Sequence, residues 1–133
     1  MATSPTQRTL KMLKDAGYKG AIVERWLPNP AYPGGGKRLD YMNIIDIISI
    51  KGASTLGVQS CGAAFSEHHR KLTEELPEKC TDWLEGGTRR LFLVGWRKVK
   101  GRLKSGAYSK AMRWKPRIRE YFLEGKELKW KDK

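Results

Sequence analysis

The sequence predicts a single α/β domain, and three observations carry that reading. A capped amphipathic stretch at residues 4–17 has the spacing of a helix. Two apolar runs, residues 44–50 and 55–58, are joined by Lys51-Gly52-Ala53-Ser54 as the strands of a β-hairpin would be. Residues 89–99 are apolar on both faces, as in a strand inside a sheet. The 133 residues, 39% of them hydrophobic, suffice for one modest core. One domain is therefore expected over residues 1–133, with a basic C-terminal extension from about residue 100.

In the first helix Ser4 suits the N-cap, Pro5 the first helical position, and Gln7 closes a capping box. Leu10, Leu13 and Ala16 form the expected buried stripe, and Gly17 ends the helix. Residues 21–26 read as a strand with Ile22, Glu24 and Trp26 on one face, which puts a carboxylate, Glu24, on the sheet. An exposed strand residue paired with an arginine is the other reading of Glu24. Residues 28–36, rich in proline and glycine, form a loop. The triple glycine neither follows a strand directly nor opens a helix with Lys-Ser/Thr, so it is not a nucleotide-phosphate loop.

Asp46 asks for a chemical explanation. It stands inside Ile44-Ile45-Asp46-Ile47-Ile48, where an unpaired buried charge costs on the order of several kcal/mol. The residue needs a cation or a proton. Alternation puts Ile44, Asp46, Ile48 and Ile50 on one face of the first hairpin strand. In the second, Thr55, Gly57, Gln59 and Cys61 share a face, with Leu56, Val58 and Ser60 opposite. If the register sets Gln59 beside Asp46, its carbonyl offers a second oxygen to a small hard cation. The plainer readings are a strand-end Asp46 bonded to a backbone amide and a Gln59 that exits to solvent. Asp40 shares the face of Asp46 only if the chain is extended through Tyr41-Met42-Asn43, which is not expected.

After the hairpin, a polar helix is expected from about Ser66, carrying His68, His69, Arg70 and Lys71 in its first turns. Pro77 starts a second short helix over residues 77–85, closed by Gly86-Gly87. Leu72, Leu76, Cys80 and Leu84 then form one packed side. His68 and His69 are adjacent and diverge on a helix, so they read as surface residues that touch phosphate rather than as a metal pair. In residues 89–99, Leu91, Leu93 and Gly95 share one face and Phe92, Val94 and Trp96 the other. Residues 100–110 read as a basic loop, and residues 114–130 as a strand pair turning at Glu124-Gly125-Lys126.

The net charge of +13 is unevenly placed. Residues 1–88 carry 11 Lys/Arg against 10 Asp/Glu, whereas residues 89–133 carry 16 against 4. The basic residues are interleaved with Trp96, Tyr108, Trp114, Tyr121, Phe122 and Trp130, a mixture suited to neutralising phosphates and packing bases against rings. The expected partner is a polyanion, with nucleic acid ahead of membrane because no basic amphipathic helix stands out. A solvated basic face with core aromatics is the alternative. The longest apolar runs are far too short to cross a bilayer, and no secretion signal is seen. Cys61 and Cys80 lack metal-ligand spacing, which favours reduced thiols in a cytoplasmic protein.

The order helix, strand, strand, strand, helix, strand, with an acid in the first half of the central hairpin and a polar side chain in the second, resembles the PD-(D/E)XK nuclease superfamily. The closer likeness is to its small phage and prophage members of the nuclease-like or Holliday-junction-resolvase-like kind. The stretches that carry it are SPTQRTLKMLKDAGY, AIVERWLP, IIDIISI, TLGVQSC, FSEHHRKL, WLEGG and LFLVGWRKV followed by WKPRI, within about residues 4–120. The resemblance implies a restriction-endonuclease-like αβββαβ core, a mixed central sheet flanked by helices.

It also implies a metal-dependent DNA endonuclease that hydrolyses phosphodiester bonds, with branched DNA such as Holliday junctions among its substrates. In that superfamily the two hairpin acids hold one or two magnesium ions, and a lysine two residues on helps orient the attacking water. Carried over, Asp46 is the motif aspartate and Glu24 the candidate upstream acid, with Asp40 and Gln59 completing the set for Mg2+ or Mn2+. The sequence departs from the pattern at Gln59-Ser60-Cys61, which lacks both the second acid and the lysine. Cys61 cannot replace an ammonium, so Lys71 is the expected substitute, with Arg70 beside it and Lys51 weaker. The DNA backbone is expected to meet Arg38, Arg70, Lys71, Arg97, Lys98, Lys100, Arg102, Lys104, Arg113, Lys115 and Arg117. The alternative is a catalytically degenerate DNA-binding protein on the same scaffold. Resolvase-like relatives are commonly dimers, which makes a homodimer an expectation by analogy.

Overall fold

Ser4 caps the first helix, α1 (Pro5–Asp15), through a reciprocal pair: its hydroxyl accepts from the Gln7 amide while the Gln7 side chain accepts from the Ser4 amide. These features come from a computed structural model, which describes residues 3–133 apart from the side chains of residues 102 and 109–111. The buried positions of α1 are Thr9 and Leu13, with Leu10 and Met12 packed beside them; Ala16 only caps the end. Thr9 is fully buried because its hydroxyl donates to the Pro5 carbonyl and accepts from Ser60 Oγ and Trp96 Nε1.

Strands β1 (Lys19–Ile22), β4 (Ile47–Lys51) and β5 (Ser54–Cys61) pair antiparallel in that order, and between β1 and β4 the chain makes a small hairpin of β2 (Arg25–Pro28) and β3 (Gly36–Leu39) that forms its own sheet. A helical crossover follows, built from α2 (Phe65–Arg70), a π-helical turn (Lys71–Glu75) and α3 (Pro77–Leu84). It returns the chain to β6 (Arg89–Arg102), parallel to β5. Antiparallel β7 (Tyr108–Glu124) and β8 (Glu127–Asp132) complete a mixed six-stranded sheet in the order β1-β4-β5-β6-β7-β8. No helix among the described residues is long and apolar enough to cross a membrane.

Alternation along β5 and β6 divides the core as the sequence predicts. Leu56, Val58, Phe92, Val94 and Trp96 pack with Leu13 under α1, whereas Cys61, Leu91 and Leu93 pack with Phe65, Leu72, Cys80, Trp83 and Leu84 under the crossover. Two glycines permit the close approach. A Cβ on Gly57 would lie 2.7 Å from Ile45 Cδ1, and one on Gly95 would lie 2.6 Å from the Phe65 ring.

Three expectations are corrected. Residues 21–26 are not one strand: after Ile22 the Val23 amide still reaches the Asp46 carbonyl at 2.8 Å, but from Arg25 the chain pairs with β3 instead. Ile22, Glu24 and Trp26 therefore belong to no common strand. Asp46 sits at a bend just before β4 rather than in mid-strand, because Tyr41 pairs with Ile45 and folds the approach into a tight turn. Most of residues 100–110 extend β6 and β7 instead of looping, since the two strands satisfy each other's backbone as far as Arg102 and Tyr108. β5 ends its pairing at Gly95 and β8 at Arg119, so the far ends of β6 and β7 pair only with each other and project as a two-stranded arm.

Candidate metal centre

The register of the central hairpin pairs Ile47 with Val58, which sets Asp46 beside Gln59. Both are almost fully buried. One Asp46 carboxylate oxygen accepts from the Ser60 amide at 2.7 Å and from Gln59 Nε2 at 3.0 Å. The same Gln59 nitrogen donates to Asp40 at 3.0 Å, so one side-chain amide ties two acids together. Its carbonyl faces the other way and accepts from Lys71 Nζ at 3.2 Å, and that ammonium lies 3.6 Å from Asp40.

Asp40 arrives by a turn rather than by strand alternation. The Asn43 amide bonds to the Asp40 carbonyl and the Ile45 amide to that of Tyr41, while Met42 and Asn43 adopt left-handed φ of 55° and 62°. A left-handed methionine costs about 1 kcal/mol or more, a strain met where surrounding structure over-determines the backbone. Ile44 and Ile45, which follow it and are wholly buried, supply that constraint. Glu24 comes from the link between β1 and β2 and accepts from Arg38 Nη1 at 3.2 Å. Oxygens of Glu24, Asp40 and Asp46 all lie within 4.8 Å of one another.

Asp40 has Lys71 beside it and Glu24 has Arg38, whereas Asp46 has no cation of its own among the described residues. Burial first, and then its neighbour Asp40, push the Asp46 carboxyl up to about 7. Burial also acts on Asp40, but hydrogen bonds from Asp46 and Gln59 and the nearby Lys71 outweigh it and hold Asp40 below its ordinary value. Of the two, Asp46 is the acid that burial and its neighbour bias toward the protonated form. Three convergent carboxylates, with Asp46 ionised, are a donor set that fits a hard divalent ion.

Sequence reasoning singles out Asp46, Gln59, Glu24, Asp40 and Lys71, and the structure brings all five together. The plainer readings of Asp46 and Glu24 hold as well, since Asp46 stands at the strand end bonded to a backbone amide, that of Ser60, and Glu24 is paired with Arg38. Thr9, which accepts from Ser60, is the residue that sequence reasoning does not find. The only signal is a pair of polar residues on otherwise apolar faces. Lys51 is elsewhere, bonded to the Ala16 carbonyl at 2.7 Å. Burial pushes the thiols of Cys61 and Cys80 up to about 11 and about 12, which leaves both inert as nucleophiles.

The basic residues sort by strand parity. Arg97, Arg113, Lys115 and Arg117 belong to the side of the sheet that carries Gln59, with Arg97 directly opposite Lys115; Lys98 and Lys100 belong to the α1 side. Lys104 is exposed at the tip of the arm, Arg70 is exposed in α2, and the Arg102 side chain lies outside the described residues. His68 and His69 are not the free surface pair expected. His69 Nδ1 is 2.6 Å from the Tyr121 hydroxyl and its ring packs edge-on against Trp130, while His68 is half-buried with Nδ1 unpartnered. Comparison with known proteins finds no matching family model, no matching curated protein and no matching solved structure.

Proposed function

We propose that this chain is a divalent-metal-dependent DNA endonuclease on a restriction-endonuclease-like αβββαβ core. The observation that carries the reading is the convergence of Asp46, Asp40 and Glu24 beside an ammonium group at the edge of a buried hairpin. The order of a helix, three antiparallel strands, a helical crossover and a parallel fourth strand agrees with that core. Magnesium or manganese, when bound, would polarise a phosphate oxygen and lower the pKa of an attacking water.

The chain's own residues do the rest. Ser60 fixes the Asp46 carboxylate through its amide. Asp46 must shed its proton to serve as a ligand. Lys71 reaches in from the crossover helix, where Cys61 cannot act, and stabilises charge that develops on the phosphate. Arg97, Arg113, Lys115 and Arg117, on the carboxylate side of the arm, hold the DNA backbone.

A specific observation favours a second reading, a DNA-binding protein that has lost catalysis. Gln59 Nε2 already bridges Asp40 and Asp46, tying together the two acids that a nuclease would keep for a metal. Incubation with four-way junction, flap and duplex DNA and magnesium or manganese separates the two. Cleavage that disappears in Asp46→Ala is expected. Salt-sensitive binding with no cleavage above that variant would leave only the second reading.

A further inference from the structure

A cleft of about 360 Å³ opens on the α1 side of the sheet, away from the carboxylates but at the same end of β5. Trp96, Trp114 and Pro5 give it an aromatic and apolar wall, and Arg8 and Lys98 rim it with positive charge. Among the described residues no acid lines it. Trp114 is 42% exposed on the projecting arm, with the Arg8 guanidinium 4.0 Å and Lys98 Nζ 5.2 Å from its ring centroid. Two cations share one exposed indole with no carboxylate among the lining residues, an arrangement that favours an anionic ligand.

We infer that this cleft is a stacking subsite for an unpaired nucleobase, with the flanking phosphates held by Arg8 and Lys98. The Arg8 guanidinium lies over one face of the Trp114 indole, so a base stacks on the guanidinium plane or takes its place on the ring, with Lys98 near enough to meet the adjoining phosphate. A fully paired duplex has no free base face to give. Gly62 and Ala63, in the cleft wall, follow Gln59 by three and four residues. At about 3.3 Å per residue at most, this keeps the cleft wall within about 10 to 13 Å of Gln59, within reach of a strand that crosses the end of β5. The inference rests on the nucleic-acid part of the function proposed above, not on hydrolysis, and it narrows the substrate to DNA with unpaired nucleotides at a branch or end.

The test is fluorescence anisotropy in EDTA with a labelled ten-nucleotide oligothymidine, an abasic oligomer of equal length, and blunt duplex. The wild type should bind oligothymidine roughly tenfold more tightly than the abasic strand. Trp114→Leu should bind the two alike, and Trp114→Phe, which keeps a ring face, should restore most of the preference. Equal binding of both strands by the wild type, a preference that survives Trp114→Leu, or equally good competition by polyglutamate would each overturn the inference. Because no metal is present, a base preference without cleavage sinks only the hydrolytic reading, and cleavage without the preference sinks only the subsite.

Discussion

Asp46 and Glu120 are hidden from water to nearly the same degree, at 4% and 7% exposure, yet their surroundings treat them oppositely. Glu120, on β7, accepts two hydrogen bonds from the Arg90 guanidinium, at 2.9 and 3.0 Å, and lies 3.2 Å from Lys133 Nζ. Burial pushes its carboxyl up, but Arg90 and Lys133 outweigh burial and hold it below its usual range. Asp46 receives an amide and a glutamine rather than a cation, and its carboxyl stays high, at about 7. A buried acid with its own arginine is a finished structural element. One with no cation of its own, beside two further carboxylates that take Lys71 and Arg38, is still short of positive charge, and that difference separates a fold's ion pair from a candidate ligand.

Exchanging each acid for its amide gives the largest separation. Asp46→Asn keeps an oxygen for the Ser60 amide and removes the charge, so DNA cleavage should fall by at least about 10²-fold. Its Tm at about pH 8 should hold or rise, since the buried carboxylate it replaces is ionised there at a cost. Glu120→Gln should do the reverse, leaving cleavage intact while losing roughly 1–2 kcal/mol of stability, a figure discounted for the partly exposed Arg90. Cleavage assays and thermal melts on the two variants read both halves.

Adding an acid to the unpaired site sharpens the contrast further. Gln59→Glu removes the donor that bridges Asp40 and Asp46 and adds a like charge. Tm in EDTA should fall, while affinity for Mn2+ by calorimetry should rise about tenfold.

The pH dependence of stability follows from the same asymmetry. Folding raises the Asp46 carboxyl from its ordinary 3.8 to about 7. Its contribution is therefore fully present below about pH 4 and lost as pH rises through about 7. Asp40 and Glu120, both lowered, contribute above their ordinary values and lose that contribution only in acid. Melts from about pH 5 to about pH 8 should show a decline that Asp46→Asn abolishes and Glu120→Gln does not. A saturating divalent ion should reverse it by binding only the folded carboxylates.

The smallest effect concerns the arm, where Arg97 faces Lys115 across the strands. Arg97→Ser should raise stability by a few tenths of a kcal/mol by relieving like-charge repulsion, and lower the salt slope of DNA binding by about one ion. Melts and binding isotherms at several salt concentrations measure the two.

Much of the fold is legible in the sequence wherever apolar alternation is strict. The hairpin and the two faces of β5 and β6 follow from period two, whereas the pairing of Asp46 with Gln59 also needs the register of Ile47 with Val58, which alternation leaves open. Asp40 is not legible as a partner, because its approach depends on left-handed backbone at Met42 and Asn43, which no pattern announces. Lys71 is legible only as a residue reaching back, since its place depends on how Phe65 seats on Gly95. The break after Ile22 leaves no mark, because residues 21–26 have strand chemistry throughout and only the pairing partner changes. Charge alone suggests a loop where the arm stands, although Trp114 and Met112 lie among its basic residues.

The most direct measurement is a calorimetric titration of Mn2+ into the wild type, Asp46→Asn and Glu120→Gln near neutral pH, in two buffers of different ionisation enthalpy. The wild type and Glu120→Gln should each take up the ion saturably and release a proton on binding, and Asp46→Asn should do neither. Saturable uptake by Asp46→Asn equal to that of the wild type, or none by the wild type, would contradict the assignment of Asp46 as the acid kept for a metal.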